Sequence, residues 1–188
     1  KPILISDLKL IVQAIIDDKN EYKKIQNKAL ILIGFAGGFR RSELVSIERE
    51  DIDFVDEGVK INIRKSKTDQ TGIGMTKAIP YFDNKIFCPV ISLNEWINYA
   101  NISNGKIFNI SDKSVALIIK KYALIAGLDN TKYAGHSLRS GFATSTAETG
   151  ADERSIMAMT GHKTTQMVRR YIQEANLFKN NALNKIKI

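Results

Sequence analysis

Apolar residues recur at helical spacing along most of this chain, and the pattern breaks once, between Ile52 and Pro80, where it changes to every second residue. A chain patterned this way buries its helices against one another and against one small sheet, because the 3.6-residue and 2-residue periods cannot share an element. The expected fold class is therefore mainly α with a small antiparallel β-sheet, an α+β arrangement.

Leu8, Ile11, Val12, Ile15 and Ile16 give a first amphipathic helix with Ser6 as its expected cap. The spacing predicts a second helix over residues 21–35, stopped by Gly37-Gly38, and a short third one from residue 42, which leaves Arg40 at a helix junction. Val59, Ile61 and Ile63 then alternate with polar neighbours, and a second extended segment ends at Ala78-Ile79-Pro80. The polar, glycine-containing stretch between them, residues 66–74, reads as a turn with Lys67 near it. Helical patterns return over residues 93–99, with Trp96 expected in the core, and over residues 111–126, ended by Gly127. A further helix runs from His136 to about Gly150, a short one is capped by Asp152 and ended by Gly161, and a last one covers residues 166–175. Residues 177–188 form a basic, amphipathic tail.

A length of 188 residues with 44% hydrophobic content suits one compact domain with its own core. Twenty-eight basic against twenty acidic residues give +8, which suits a polyanionic partner. A solvated basic face would carry the same charge, so the identity of the partner rests on particular residues. The single cysteine, Cys88, cannot form an internal disulfide, and its apolar neighbours make it a packed thiol; no Cys/His cluster reads as a metal site. No apolar run approaches membrane length and no secretory signal is present, so a soluble, cytoplasmic protein is expected. The chain opens at Lys1 in place of a Met, so a fragment or a trimmed chain is expected.

The chemistry lies in Ala-Gly-His-Ser-Leu-Arg-Ser-Gly-Phe-Ala-Thr, then Met-Thr-Gly-His-Lys-Thr-Thr, then Arg-Arg-Tyr-Ile, which set His136, Arg139, His162 and Tyr171 in order. Breaking a phosphodiester without hydrolysis needs a nucleophile that keeps the bond energy, donors for the phosphoryl oxygens and an acid for the departing oxygen. Tyr171 is the candidate nucleophile: of six tyrosines it alone follows a histidine by nine residues and comes directly after Arg169-Arg170. Its phenol, with an ordinary pKa of about 10, needs cationic neighbours or a base. His136 and Arg139 stand three apart and would leave one helix face together. Taken singly each signal has an ordinary reading, a capping histidine beside a surface arginine or a Gly-His helix stop. Their joint occurrence with Arg40 and Lys67 is what carries weight.

That order and spacing resemble the carboxy-terminal half of the tyrosine recombinases, or phage-type integrases, which cut and rejoin DNA through a covalent 3'-phosphotyrosine. The resemblance runs from the helix at Lys28 to Tyr171, and the wording around His136 is similar to integrases of mobile elements. It implies the catalytic-domain fold of that family and a role for each residue. Arg40, in Gly-Phe-Arg-Arg-Ser-Glu-Leu, matches the family's first arginine box, where the arginine comes two residues before Ser-Glu-Leu. That register selects Arg40 over Arg41, which reads as a solvated neighbour, and makes Glu43 a structural partner of Arg40. Lys67 matches the family's sheet-turn lysine, the general acid; Lys65 or Lys77 could serve if the loop is arranged differently. His162 matches the position that donates to a phosphoryl oxygen, and His136 would assist proton transfer or phosphate binding.

The resemblance further implies no cofactor and no metal. Expected partners are double-stranded DNA and other recombinase subunits, as a tetramer on paired sites, with no membrane and a nucleoid-associated location. The expected organisation is a catalytic domain over residues 1–176 and a C-terminal tail over residues 177–188 that can be exchanged between subunits, with the family's N-terminal core-binding domain absent from this chain. Two other readings stay open on the residues: a type IB topoisomerase relaxing DNA by related chemistry, and a basic DNA-binding module without catalysis. The integrase-like wording around His136 leans against the first, and the complete six-residue set against the second.

Overall fold

A helical stretch that is apolar on every face must be enclosed, and the second half of Glu21–Ala36 (α2) is: Ala29, Leu30, Ile31, Leu32 and Ile33 are all essentially buried in the computed structural model, which describes residues 1–64, 74–162, 165–179 and 181–186. Asn20 caps α2 by accepting from the Lys23 amide. Around this axis pack Ile5–Ile16 (α1), Pro89–Tyr99 (α4) and Ser137–Glu148 (α6), while Asp112–Ile125 (α5) lies against α1 and Arg41–Ser46 (α3). The first helix begins at Ile5, with Leu4 as its N-cap and no capping side chain, so Ser6 lies inside the first turn and does not cap as expected. Trp96 sits in the core and donates its indole N–H to the Ile107 carbonyl.

Three strands, Ile52–Val55 (β1), Gly58–Ile63 (β2) and Met75–Pro80 (β3), form an antiparallel sheet in the order β1-β2-β3. The strand β1 was not foreseen separately; the other two are where alternation predicts them. In the β2–β3 register Ile61 lies opposite Lys77 and Val59 opposite Ile79. Alternation therefore places Lys77 on the core-facing side with Val59, Ile61, Ile63 and Ile79, and all five are buried. Lys65 and Lys67 lie outside the described residues.

The C-terminal helices Glu153–Thr160 (α7) and Thr165–Asn176 (α8) fold back on α6 around a smaller core of Ala143, Ala147, Ile156 and Val168. Asp152 caps α7 by accepting from the Ser155 amide at 2.7 Å. Beyond α8 the tail makes one short 3-10 turn, Ala182–Lys185, and exposes Leu177, Phe178, Leu183 and Ile186. Among the described residues no helix is long and apolar enough to cross a membrane.

Candidate active site

Three interruptions of the backbone aim the site. The first follows α2. Gly38 takes φ +57°, and a Cβ there would lie 2.9 Å from Phe142 Cδ1, so the turn that carries the chain to Arg40 needs a glycine on two counts. Arg40 is the extended N-cap of α3. The buried Glu43 carboxylate accepts from the Arg40 amide at 2.9 Å and from Arg40 Nη1 at 2.8 Å, which fixes the guanidinium and leaves the rest of its fork for another acceptor.

The second interruption is the start of α6. His136 is its N-cap residue and is exposed, with no hydrogen-bond partner for its ring among the described residues. Arg139, in the first turn, is buried, donates from Nη1 to the Gly38 carbonyl at 2.9 Å, and has a buried Nη2 with no acceptor among the described residues. His136 and Arg139 thus share the start of α6 but differ in burial: the histidine remains at the rim. Gly135 provides the floor on which Arg41 rests, since a Cβ at Gly135 would meet Arg41 Cδ at 1.9 Å. Arg41 is half-buried and packed, which corrects the expectation of a solvated neighbour.

The third is Gly161, whose left-handed φ of +68° ends α7 and turns the chain into His162. The imidazole is half-buried and its Nδ1 lies 2.7 Å from Thr160 Oγ1. Tyr171, half-buried on α8, packs against the small α6–α7–α8 core, and its ring centroid is 6.4 Å from that of His162 at an interplanar angle of 41°.

Lys77 completes the cluster from β3. Its Nζ donates to the Gly37 carbonyl at 2.6 Å and lies 4.4 Å from the centre of the Phe39 ring. Lys77 and Arg139 thus hold consecutive carbonyls of the turn that delivers Arg40. Burial lowers the Lys77 pKa to about 7, with Arg139 and Arg40 adding to the effect and Glu43 opposing it. Burial and then Arg40 lower Arg139 to about 10, against Glu43 and Tyr171. Burial, followed by Arg139, Arg40 and Lys77, holds His162 down at about 4. Arg40, Arg139, Lys77, His162 and Tyr171 therefore share one electrostatic environment in which Glu43 is the carboxylate felt by both Arg139 and Lys77.

Such a cluster disfavours its own cations until an anion arrives, and the orphaned Arg139 Nη2 is a donor kept for one. The central place of Lys77 was only an alternative in the sequence. Its signal was the alternation that sets it two residues before Ile79 on an otherwise apolar strand face. Thr160 gave no signal of its own. Among the described residues no group of three His, Cys, Asp or Glu side chains is arranged to hold a metal ion.

The chain matches the sequence profile of the Phage integrase family over residues 6–177. It is 47% identical to the integrase/recombinase XerD homolog of Selenomonas ruminantium, over 98% of this chain and 57% of that protein. Its fold is similar to that of the XerA recombinase crystal structure, with a TM-score of 0.75 and 20% identity over 100% of this chain and 65% of that one. It is likewise similar to the XerH site-specific recombinase bound to palindromic difH substrate in a post-cleavage complex, with a TM-score of 0.74 and 18% identity over 96% of this chain and 54% of that one. The chain spans 57% of the Selenomonas relative's length. The architecture is the tyrosine recombinase catalytic-domain fold, and the chain belongs to the phage integrase family.

Proposed function

We propose that this chain is the catalytic domain of a site-specific DNA recombinase that cleaves one strand at a time, joins the 3' phosphate to Tyr171 and passes it to a partner strand. The observation that carries the reading is the buried Arg139 Nη2, without a partner among the described residues, in one cationic cluster with Arg40 and beside the His162 and Tyr171 rings. Arg40 and Arg139 bind the non-bridging oxygens as fixed forks, His162 donates to a phosphoryl oxygen, and His136 assists from the rim. Lys67 protonates the leaving 5' oxygen. No cofactor is consumed, because the phosphotyrosine keeps the energy of the broken bond.

The substrate is double-stranded DNA, met by the basic surface in the cytoplasm at the nucleoid, and the working assembly is a tetramer on paired sites. Residues 1–176 form the catalytic unit, and a separate N-terminal domain completes the grip on DNA. The exposed apolar side chains of the tail, Leu177, Phe178, Leu183 and Ile186, suit the apolar groove of about 600 Å³ lined by Ile5, Leu8, Phe35, Phe82, Phe87 and Phe142 on a neighbouring copy.

The reading is tested with nicked suicide duplexes tiled across the DNA flanking the gene, each nick placed a few nucleotides 3' of the candidate bond. The wild-type chain is expected to give a protein–DNA adduct and Tyr171→Phe none. An undiminished adduct with Tyr171→Phe overturns the assignment, and plasmid relaxation as fast as joining, without any recombination site, points to a topoisomerase instead.

A further inference from the structure

Gly135 is a glycine that its own backbone does not call for: its φ lies outside the left-handed region, so an alanine could follow the same path. What the position needs is room. A Cβ there would stand 1.9 Å from Arg41 Cδ and 2.4 Å from Arg41 Nε, so the Arg41 stem lies flat on the Gly135 backbone. Gly135 is buried although Ala134 and His136 on either side of it are exposed. The platform is stiff. Gly135 and His136 are the middle residues of a turn closed twice, by the Ser137 amide donating to the Ala134 carbonyl at 3.0 Å and the Ala134 amide donating to Ser137 Oγ at 2.9 Å.

The guanidinium at the end of this arm is free. Arg40, next to it in the chain, is tied to Glu43, whereas Arg41 makes no hydrogen bond or ion pair with its side chain among the described residues. None of its nitrogens is a buried donor left without a partner, so the fork opens onto solvent. The arm also stands apart from the central cluster: the charges that shift Arg139, His162 and Lys77 include Arg40 and do not include Arg41. A guanidinium that only meets water gains nothing from a seat on a glycine. One that meets an anion does, because a fork already held in place loses less side-chain freedom when the anion arrives.

We propose that Arg41 is a DNA-binding residue whose guanidinium, held over Gly135 beside His136, takes the backbone phosphate next to the scissile one on the cleaved strand. The inference rests on the recombinase reading above, in which Arg40 and Arg139 hold the scissile phosphate. The Cα atoms of Arg40 and Arg41 are about 3.8 Å apart, as in any trans peptide, but their side chains part company. Arg40 is bound to Glu43 within its own helix, and Arg41 crosses to the segment that opens α6. Two forks set side by side in this way serve two adjoining phosphates of one strand. The contact goes to the DNA backbone, so it adds affinity and fixes register without reading base sequence.

Two variants separate the charge from its seat. Arg41→Met keeps an unbranched stem and drops the charge, while Gly135→Ala keeps the charge and displaces the stem. In equilibrium binding to duplex DNA over a range of salt concentrations, each is expected to weaken affinity about tenfold at low salt, and Arg41→Met to lower the slope of log Kd against log salt by about one. The position of the contact is read on the suicide duplex that gives the most adduct, prepared with one neutral methylphosphonate in turn at each phosphate flanking the scissile bond. At one flanking phosphate the substitution is expected to weaken wild-type binding about as much as Arg41→Met does, and to weaken the Arg41→Met chain no further. Unchanged affinity and slope in Arg41→Met overturn the proposal, and so do losses that multiply at every flanking phosphate. Should Arg41→Met not fold, Gly135→Ala decides in the same methylphosphonate series. Absence of adduct from the wild-type chain on every duplex sinks the recombinase reading, whereas the salt slope still shows whether Arg41 holds a phosphate.

Discussion

The rings of His162 and Tyr171 stand 6.4 Å apart, centre to centre, although nine residues and a helix boundary separate them in the chain. The half-buried imidazole has its pKa held at about 4, first by burial and then by Arg139, Arg40 and Lys77. An unfolded histidine titrates near 6.5. Between those values the unfolded chain binds a proton that the folded chain refuses, so this group's contribution to stability is lost as pH falls from about 6.5 to about 4. Thermal melting of wild type and His162→Gln across that window is expected to show the wild type losing more stability than the variant; parallel curves contradict the environment described for His162.

Lys77 has a window at higher pH with the same sign. Its pKa is lowered to about 7 from an ordinary 10.5, chiefly by burial, so between those values the unfolded chain again holds the extra proton and stability rises with pH. Urea unfolding at pH 7 and pH 9 is expected to show a larger gain for wild type than for Lys77→Met. Equal gains mean that the ammonium is solvated.

Gly38 joins a left-handed backbone to a close approach of Phe142, and its carbonyl accepts from Arg139. Gly38→Ala is expected to destabilise the fold by about 1–3 kcal/mol and to slow adduct formation, because the turn that aims Arg40 must shift. Chemical denaturation beside adduct kinetics checks both. A fully stable and active variant shows that the turn adapts freely.

The tail leaves Leu177, Phe178, Leu183 and Ile186 exposed, which is costly unless a second surface covers them. Truncation after Asn176 is expected to leave single-strand cleavage intact while weakening assembly on paired sites and strand exchange. Native gel shifts and a two-site exchange assay measure the two effects, and unchanged exchange removes the role of the tail in trans.

What the sequence made legible follows from where the physics is local. Periodicity located the helices that bury Trp96 and α2, and Gly161 and Asp152 marked the ends of α7, because a cap or a left-handed stop is decided within a few residues. Ser6 was misread because a good capping side chain does not require a helix to start there, and α1 starts two residues earlier than a Ser6 cap would set it, at Ile5 with Leu4 as N-cap. The order Arg40, His136, Arg139, His162 and Tyr171 pointed to one phosphate site, yet it could not separate the buried Arg139 from the exposed His136. That difference depends on which elements cover the start of α6. Lys77 was harder still. A lysine two residues from Ile79 reads as a turn-proximal cation until the register opposite Ile61 turns it inward onto the Gly37 carbonyl.

The central claim is that the phenol of Tyr171 attacks phosphorus. Trapping the wild-type chain on a suicide duplex, digesting it with protease and nuclease, and locating the nucleotide remnant by mass spectrometry tests this most directly. The account predicts a 3'-nucleotide ester on the peptide around Tyr171 and on no other. A remnant on another side chain, or efficient strand cleavage without any remnant on protein, contradicts it.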